Sequence, residues 1–132
     1  MKVIPLIMKK TLLLTALAVF TFGLVSCQKD NFGYEKTVHF TAEGGELSID
    51  GNESVNTLEI TDYNGKGVEG HENYIDEIIA QYEWLTVRKS KITEPKMIFF
   101  KAEPNTSGKS RTLYVRGMVR DTHAEIKVVQ DK

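Results

Sequence analysis

Few side chains in this sequence have the types and spacing to react or to ligate. Cys27 is the only cysteine in 132 residues. It cannot close an internal disulfide, which leaves an incidental small apolar residue or a thiol kept for modification. His39, His71 and His123 stand far apart, and no nucleophile elbow, His-Glu-x-x-His pair or phosphate loop occurs. Glu69, His71, Glu72 and Asp76 form a run of metal-ligand types, but the spacing fits no zinc site, and Asp62-Tyr63-Asn64-Gly65 lacks the carboxylate series of a calcium loop. The adjacent acids Asp76 and Glu77 would serve glycoside hydrolysis only inside a cleft, for which a chain this short has little room. The expectation is a protein with no catalytic residues, no cofactor and no metal.

Aromatic rings are the remaining chemistry. Tyr63, Tyr74, Tyr82 and Trp84 are candidate ligand contacts, because the CH faces of a pyranose pack on rings while neighbouring polar groups take its hydroxyls. Each also has a plainer use: tryptophan in a strand is commonly core, and Tyr82 can close a core from the rim.

The elements that would position these residues begin after an export signal. Lys2, Lys9 and Lys10 give a basic start, Leu12–Leu24 is almost wholly apolar, and small Ser26 precedes Cys27. The apolar run is short for a membrane span, which takes about 20 such residues. Met8-Lys9-Lys10 is itself a complete signal start, so the initiator is Met1 or Met8. Leu24-Val25-Ser26-Cys27 resembles the bacterial lipobox. That resemblance implies cleavage between Ser26 and Cys27, diacylglycerol on the Cys27 thiol and acylation of its new amine, and several acyl chains anchor a protein stably where one does not. Gln28-Lys29-Asp30 resembles the short signals that send Bacteroidetes lipoproteins to the outer face of the outer membrane, although the plainer reading is a solvated linker.

From Cys27 onward the chain carries 14 basic and 18 acidic side chains, and the whole sequence has a net charge of −1. A nucleic-acid partner is therefore not expected, and membrane attachment has to be covalent. The expected organisation is a signal over 1–26, a lipidated linker over 27–36 and one domain over 37–132.

Within that domain apolar residues alternate. Val38, Phe40 and Ala42 share one side, as do Leu47 and Ile49, then Leu58 and Ile60. Tyr63-Asn64-Gly65-Lys66-Gly67 ends that third strand and is the expected long loop. Ile75, Ile78, Ile79 and Tyr82 have helical spacing, leaving 74–82 as either a helical turn or an entering strand. Further strands are expected over 84–89, 97–102, 112–120 and 125–130. Six or seven short strands without a competing helix predict an all-β fold, an antiparallel β-sandwich of the immunoglobulin type. The expected core is Val38, Phe40, Leu47, Ile49, Leu58, Ile60, Leu85, Val87, Ile98, Phe100, Leu113, Val115, Ile126 and Val128.

Several short motifs then carry a resemblance. Gly44-Gly45 before a strand, Trp84-Leu85-Thr86-Val87, Ala102-Glu103-Pro104-Asn105-Thr106-Ser107-Gly108 with Arg111-Thr112-Leu113, and Ile126-Lys127-Val128-Val129-Gln130 together resemble the BACON domain. The resemblance implies an immunoglobulin-like sandwich common in surface polysaccharide-utilisation proteins and small lipoproteins of Bacteroidetes. This chain departs from the family in its longer segment between Ile60 and Trp84. Turn chemistry explains the same residues physically: Asn105 and Gly108 suit unusual backbone angles, Arg111 can bond that turn, and Gln130 can close an edge. The functional expectation is a lipid-anchored outer-membrane binding or adhesion module for a polysaccharide or other glycan; the alternative is a structural partner of outer-membrane proteins through an exposed strand edge.

Overall fold

The computed structural model describes residues 31–132, and the expected cleavage and lipidation at Ser26 and Cys27 lie outside them. The described residues contain no helix. They form ten strands: β1 Thr37–Phe40, β2 Gly45–Asp50, β3 Glu59–Thr61, β4 Gly67–Glu69, β5 His71–Glu72, β6 Glu77–Tyr82, β7 Leu85–Ser90, β8 Met97–Ala102, β9 Arg111–Val119 and β10 Thr122–Gln130. The first sheet runs β1-β10-β9-β3-β4 and the second β2-β8-β7-β6-β5. The fold is the expected β-sandwich, with two corrections to its detail. There are ten strands rather than about seven, and β1 pairs with β10 in parallel, Val38 facing Val128.

Alternation explains why these segments pair as they do. Leu85, Val87 and Lys89 point inward from β7 while Arg88 points out, and Leu113, Val115, Gly117 and Val119 do the same from β9. Thirteen of the fourteen expected core residues are buried, and Leu47 is half-buried against the same cluster. Burial of this apolar surface, at about 25 cal/mol per Å², is the main favourable term available to a domain without a cross-link.

Three stretches differ from the sequence expectation. The segment after Ile60 is a tight hairpin into β4, and Gly70 then carries the chain from the edge of one sheet to the edge of the other. Residues 77–82 are a strand: Ile78 and Ala80 face inward with period two, while Ile75 is left exposed. Pairing of six residues with β7 outweighs the helical spacing of four apolar side chains. Residues 31–36 are not linker. Asn31, 8% exposed, exchanges hydrogen bonds with the backbone of Glu125, and the Tyr34 ring is fully buried against Gly51 with its hydroxyl donating to the Glu53 carbonyl at 2.7 Å. The compact body accordingly starts at Asn31.

Strand directions give the sandwich two unlike ends. An upper end collects turns 41–44, 62–66, 83–84 and 103–110. A lower end collects 31–36, 51–56, 73–76, 91–96 and 120–121.

Candidate functional site

The four aromatic candidates separate in space. Trp84 is one of two residues in the β6–β7 hairpin turn, opposite the Tyr82–Leu85 pair, and is buried at 7% exposure with the Arg111 guanidinium 4.7 Å from its ring centroid. Its expected role as a ligand contact is corrected on that ground: the core and a stacked guanidinium occupy the ring. Tyr74 lies in the β5–β6 turn at the lower end, remote along β6 from Tyr82 at the upper end. Tyr63 and Tyr82 do share the upper end. Tyr82 is packed against the core, and partial desolvation, then the carboxylates of Glu83 and Asp62, push its hydroxyl above the usual phenol range.

Tyr63 is presented by a turn whose shape its neighbours fix. The Asp62 carboxylate accepts from the backbone N–H groups of Asn64 at 2.8 Å and Lys66 at 2.9 Å, and Gly65 adopts φ +84°. The ring is therefore held out in water, 87% exposed, on a closed turn.

Beside that turn lies a shallow groove of about 300 Å³ on the outer face of the first sheet. Glu59 and Thr61 of β3, Tyr114 and Arg116 of β9, and Glu125 of β10 line it together with Tyr63. The pairing register sets this up: Thr61 faces Tyr114, Glu59 faces Arg116, and Arg116 faces Glu125. Arg116 Nε donates to Glu125 at 2.8 Å, which holds the guanidinium along the groove floor. The site thus offers tyrosines at one side and carboxylate, hydroxyl and guanidinium groups at the other. The carboxylates of Glu59, Glu125 and Asp62, which also lines the groove, against the one guanidinium of Arg116 make it acidic. It suits hydroxyl-rich neutral ligands better than anionic ones.

Tyr114, Arg116, Glu59 and Glu125 were not singled out from the sequence. Outward parity along β9 and β10 could have flagged them, but only strand order and register show that they converge.

The motif residues Asn105, Gly108, Arg111 and Gln130 form a polar knot at the upper end. Gln130, fully buried, accepts from Arg111 Nε at 2.8 Å and donates to the carbonyls of Thr41 and Glu103. Asn105 Nδ2 donates to the carbonyls of Lys109 and Asp131. Arg111 also reaches the carbonyls of Glu103 and Pro104, and Gly108 takes φ +80°. Together these bonds tie the 41–44 and 103–110 turns to the ends of β9 and β10.

Lys89 has no counterpart in the sequence reading. It is 1% exposed, with Nζ donating to Ser54 Oγ at 2.5 Å and to the Val55 carbonyl at 2.7 Å. Burial, and then the nearby charge of Lys91, holds its amine below the ordinary lysine range. Among the described residues no carboxylate forms an ion pair with it. No group of three or more His, Cys, Asp or Glu side chains among the described residues is placed to hold a metal ion.

No family model and no curated protein matches the chain. Among solved structures, the chain is similar to a protein from Bacteroides thetaiotaomicron determined by NMR, with 20% identity over 73% of this chain and 75% of that one at a TM-score of 0.45. It is also similar to part of a Bacteroides ovatus GH5 xyloglucanase solved with a XXXG heptasaccharide, with 15% identity over 73% of this chain but only 17% of the enzyme at a TM-score of 0.41. Likenesses this loose decide neither family nor function.

Proposed function

We propose that this chain is a non-catalytic binding module of a Bacteroidetes cell surface, held at the outer face of the outer membrane by acyl chains on Cys27, and that it takes a neutral glycan in the Tyr63–Tyr114 groove. The observation that carries the binding role is an exposed tyrosine on a closed turn beside a strip of hydrogen-bonding side chains. Little backbone entropy is lost when a turn already ordered presents its ring to a sugar face. The lipobox resemblance at Leu24–Cys27 supports the anchor, and the knot of Trp84, Asn105, Gly108, Arg111 and Gln130 fits a BACON-type module.

The test is a glycan array followed by calorimetry, using a Cys27→Ser chain so that acylation does not interfere. Binding that falls about tenfold, or about 1.4 kcal/mol, in Tyr63→Ala and in Tyr114→Ala but not in Tyr74→Ala is expected. An array with no neutral polysaccharide bound removes the glycan reading.

A second reading, assembly with another outer-membrane protein, draws on β2, a six-residue edge strand hydrogen-bonded only to β8. Pull-down from detergent extracts supports it if one stable partner is lost on Ser48→Pro, which blocks edge pairing.

A further inference from the structure

The lower end carries apolar side chains that its turns do not need. Tyr74 and Ile75 tip the β5–β6 turn and Ile92 the β7–β8 turn, with exposures of 98%, 59% and 70%. Each turn is closed by a different, polar residue. Asn73 Oδ1 accepts from the N–H groups of Ile75 and Glu77, and Ser90 Oγ accepts from those of Ile92 and Thr93. The backbone of Lys91 donates to the Asp76 carbonyl at 2.9 Å, joining the turns side by side. Exposed apolar groups gathered on adjoining turns of an otherwise well-packed domain mark a contact surface.

The same end is where the body begins. Asn52 N donates to the Phe32 carbonyl at 2.7 Å, Gly51 N to Lys96 at 3.0 Å, and Ser54 Oγ to Pro95 at 2.9 Å. An unbroken path of backbone bonds thus leads from Phe32 to the turn that bears Ile92. Cys27 precedes Asn31 by four residues, a span of at most about 14 Å when fully extended. Acyl chains on that residue bring this end, and not the upper one, to the bilayer.

We propose that the lower end docks on the leaflet that holds the acyl chains, with Tyr74, Ile75 and Ile92 entering the headgroup zone and the upper end kept clear in water. This rests on the lipidation reading of Cys27. Tyrosine favours the membrane interface, and isoleucine gains by leaving water. The tether makes this second contact effectively intramolecular, so three side chains suffice where they would not recruit a free protein. Charges at this end are of both signs: Lys91 pairs with Glu72 and Arg120 with Glu53, and Asp76, Glu94, Lys96 and Asp121 stand exposed on the same turns, leaving little net charge. Apolar contact is then the driving term, and anionic lipid is not required.

The experiment uses the full lipidated chain in phosphatidylcholine vesicles. Cys27 is acylated in that protein, so Ile92→Cys supplies a single free thiol for a nitroxide, with Tyr74→Cys as a second lower-end site and Tyr63→Cys at the upper end. The lower-end labels should show a severalfold higher ratio of oxygen to nickel-chelate collision rates than the label at position 63. Equal ratios at both ends overturn the proposal. So do lower-end labels shielded from both reagents, which would mean that a protein surface covers them. Mass spectrometry of the same sample separates the two readings: an unacylated Cys27 defeats the anchor itself, whereas an acylated, vesicle-bound chain with a wet Ile92 label defeats only the docking.

Discussion

The two ends of this sandwich are built from the same ten strands and solve opposite problems. At the upper end the chain turns over Trp84, and the carbonyls that crowd there are taken by Gln130, Arg111 and Asn105. At the lower end the buried polar groups include Tyr34 and Lys89, both satisfied by the 53–55 loop, and Asn31, satisfied by Glu125, while the 73–76 and 91–96 turn tips are apolar and open. The upper end ties its turns together with buried polar side chains beside the open Tyr63 groove, whereas the lower end closes each turn locally and leaves apolar tips in water.

Removing the centre of the upper knot should have the largest effect. Gln130→Ala leaves the Thr41 carbonyl without its side-chain donor and takes from Arg111 its side-chain acceptor at a buried site, so a loss of about 3 kcal/mol is expected in urea unfolding. A loss below about 1 kcal/mol would mean that water replaces the knot.

The lower-end counterpart is smaller and depends on pH. The Tyr34 hydroxyl is pushed up to about 12, first by burial and then by the Asp50 carboxylate. A folded value above the unfolded one of 10.0 contributes stability that is intact below pH 10 and is lost as pH rises towards about 12. Tyr34→Phe should cost about 1 kcal/mol at neutral pH for the hydrogen bond to Glu53. It should also flatten the alkaline limb of the stability curve. A limb unchanged by the substitution would place its origin elsewhere.

Smallest is the effect expected for Lys89→Met. The methionine keeps most of the apolar stem and removes a desolvated charge, so the gain offsets much of the lost bonding, and the net change should stay within about 1 kcal/mol. Because the folded amine titrates below the ordinary 10.5, wild-type stability should rise with pH in the window beneath 10.5, and that rise should vanish in the variant. A loss as large as that of Gln130→Ala would show that the two ends are held equally tightly.

Strand positions were readable wherever one face is wet and the other dry. Val38 and Phe40, Leu113 and Val115, Ile126 and Val128 announce themselves by period two, and each pair is buried. The 60–84 segment was not readable. Its strands β4 and β5 are two or three residues long, too short to show a period, and Ile75, Ile78, Ile79 and Tyr82 mimic a helix. Tyr34 escaped notice because a polar stretch surrounds it in sequence, while its ring fills a gap beside Gly51. The candidate site was half legible: an exposed Tyr63 follows from its turn, but Tyr114 and Arg116 join it only because β3 pairs with β9.

The sequence alone determined that the described body is made of strands, since the side-chain period fixes which residues must leave water. Only the tertiary structure decided which strands are neighbours, and with that which polar side chains meet at the Tyr63 groove, which carbonyls Gln130 must satisfy, and that Tyr63 and Tyr74 occupy opposite ends. Pairing partners are chosen by the summed fit of two sheets around one core, a property that no local window of residues contains.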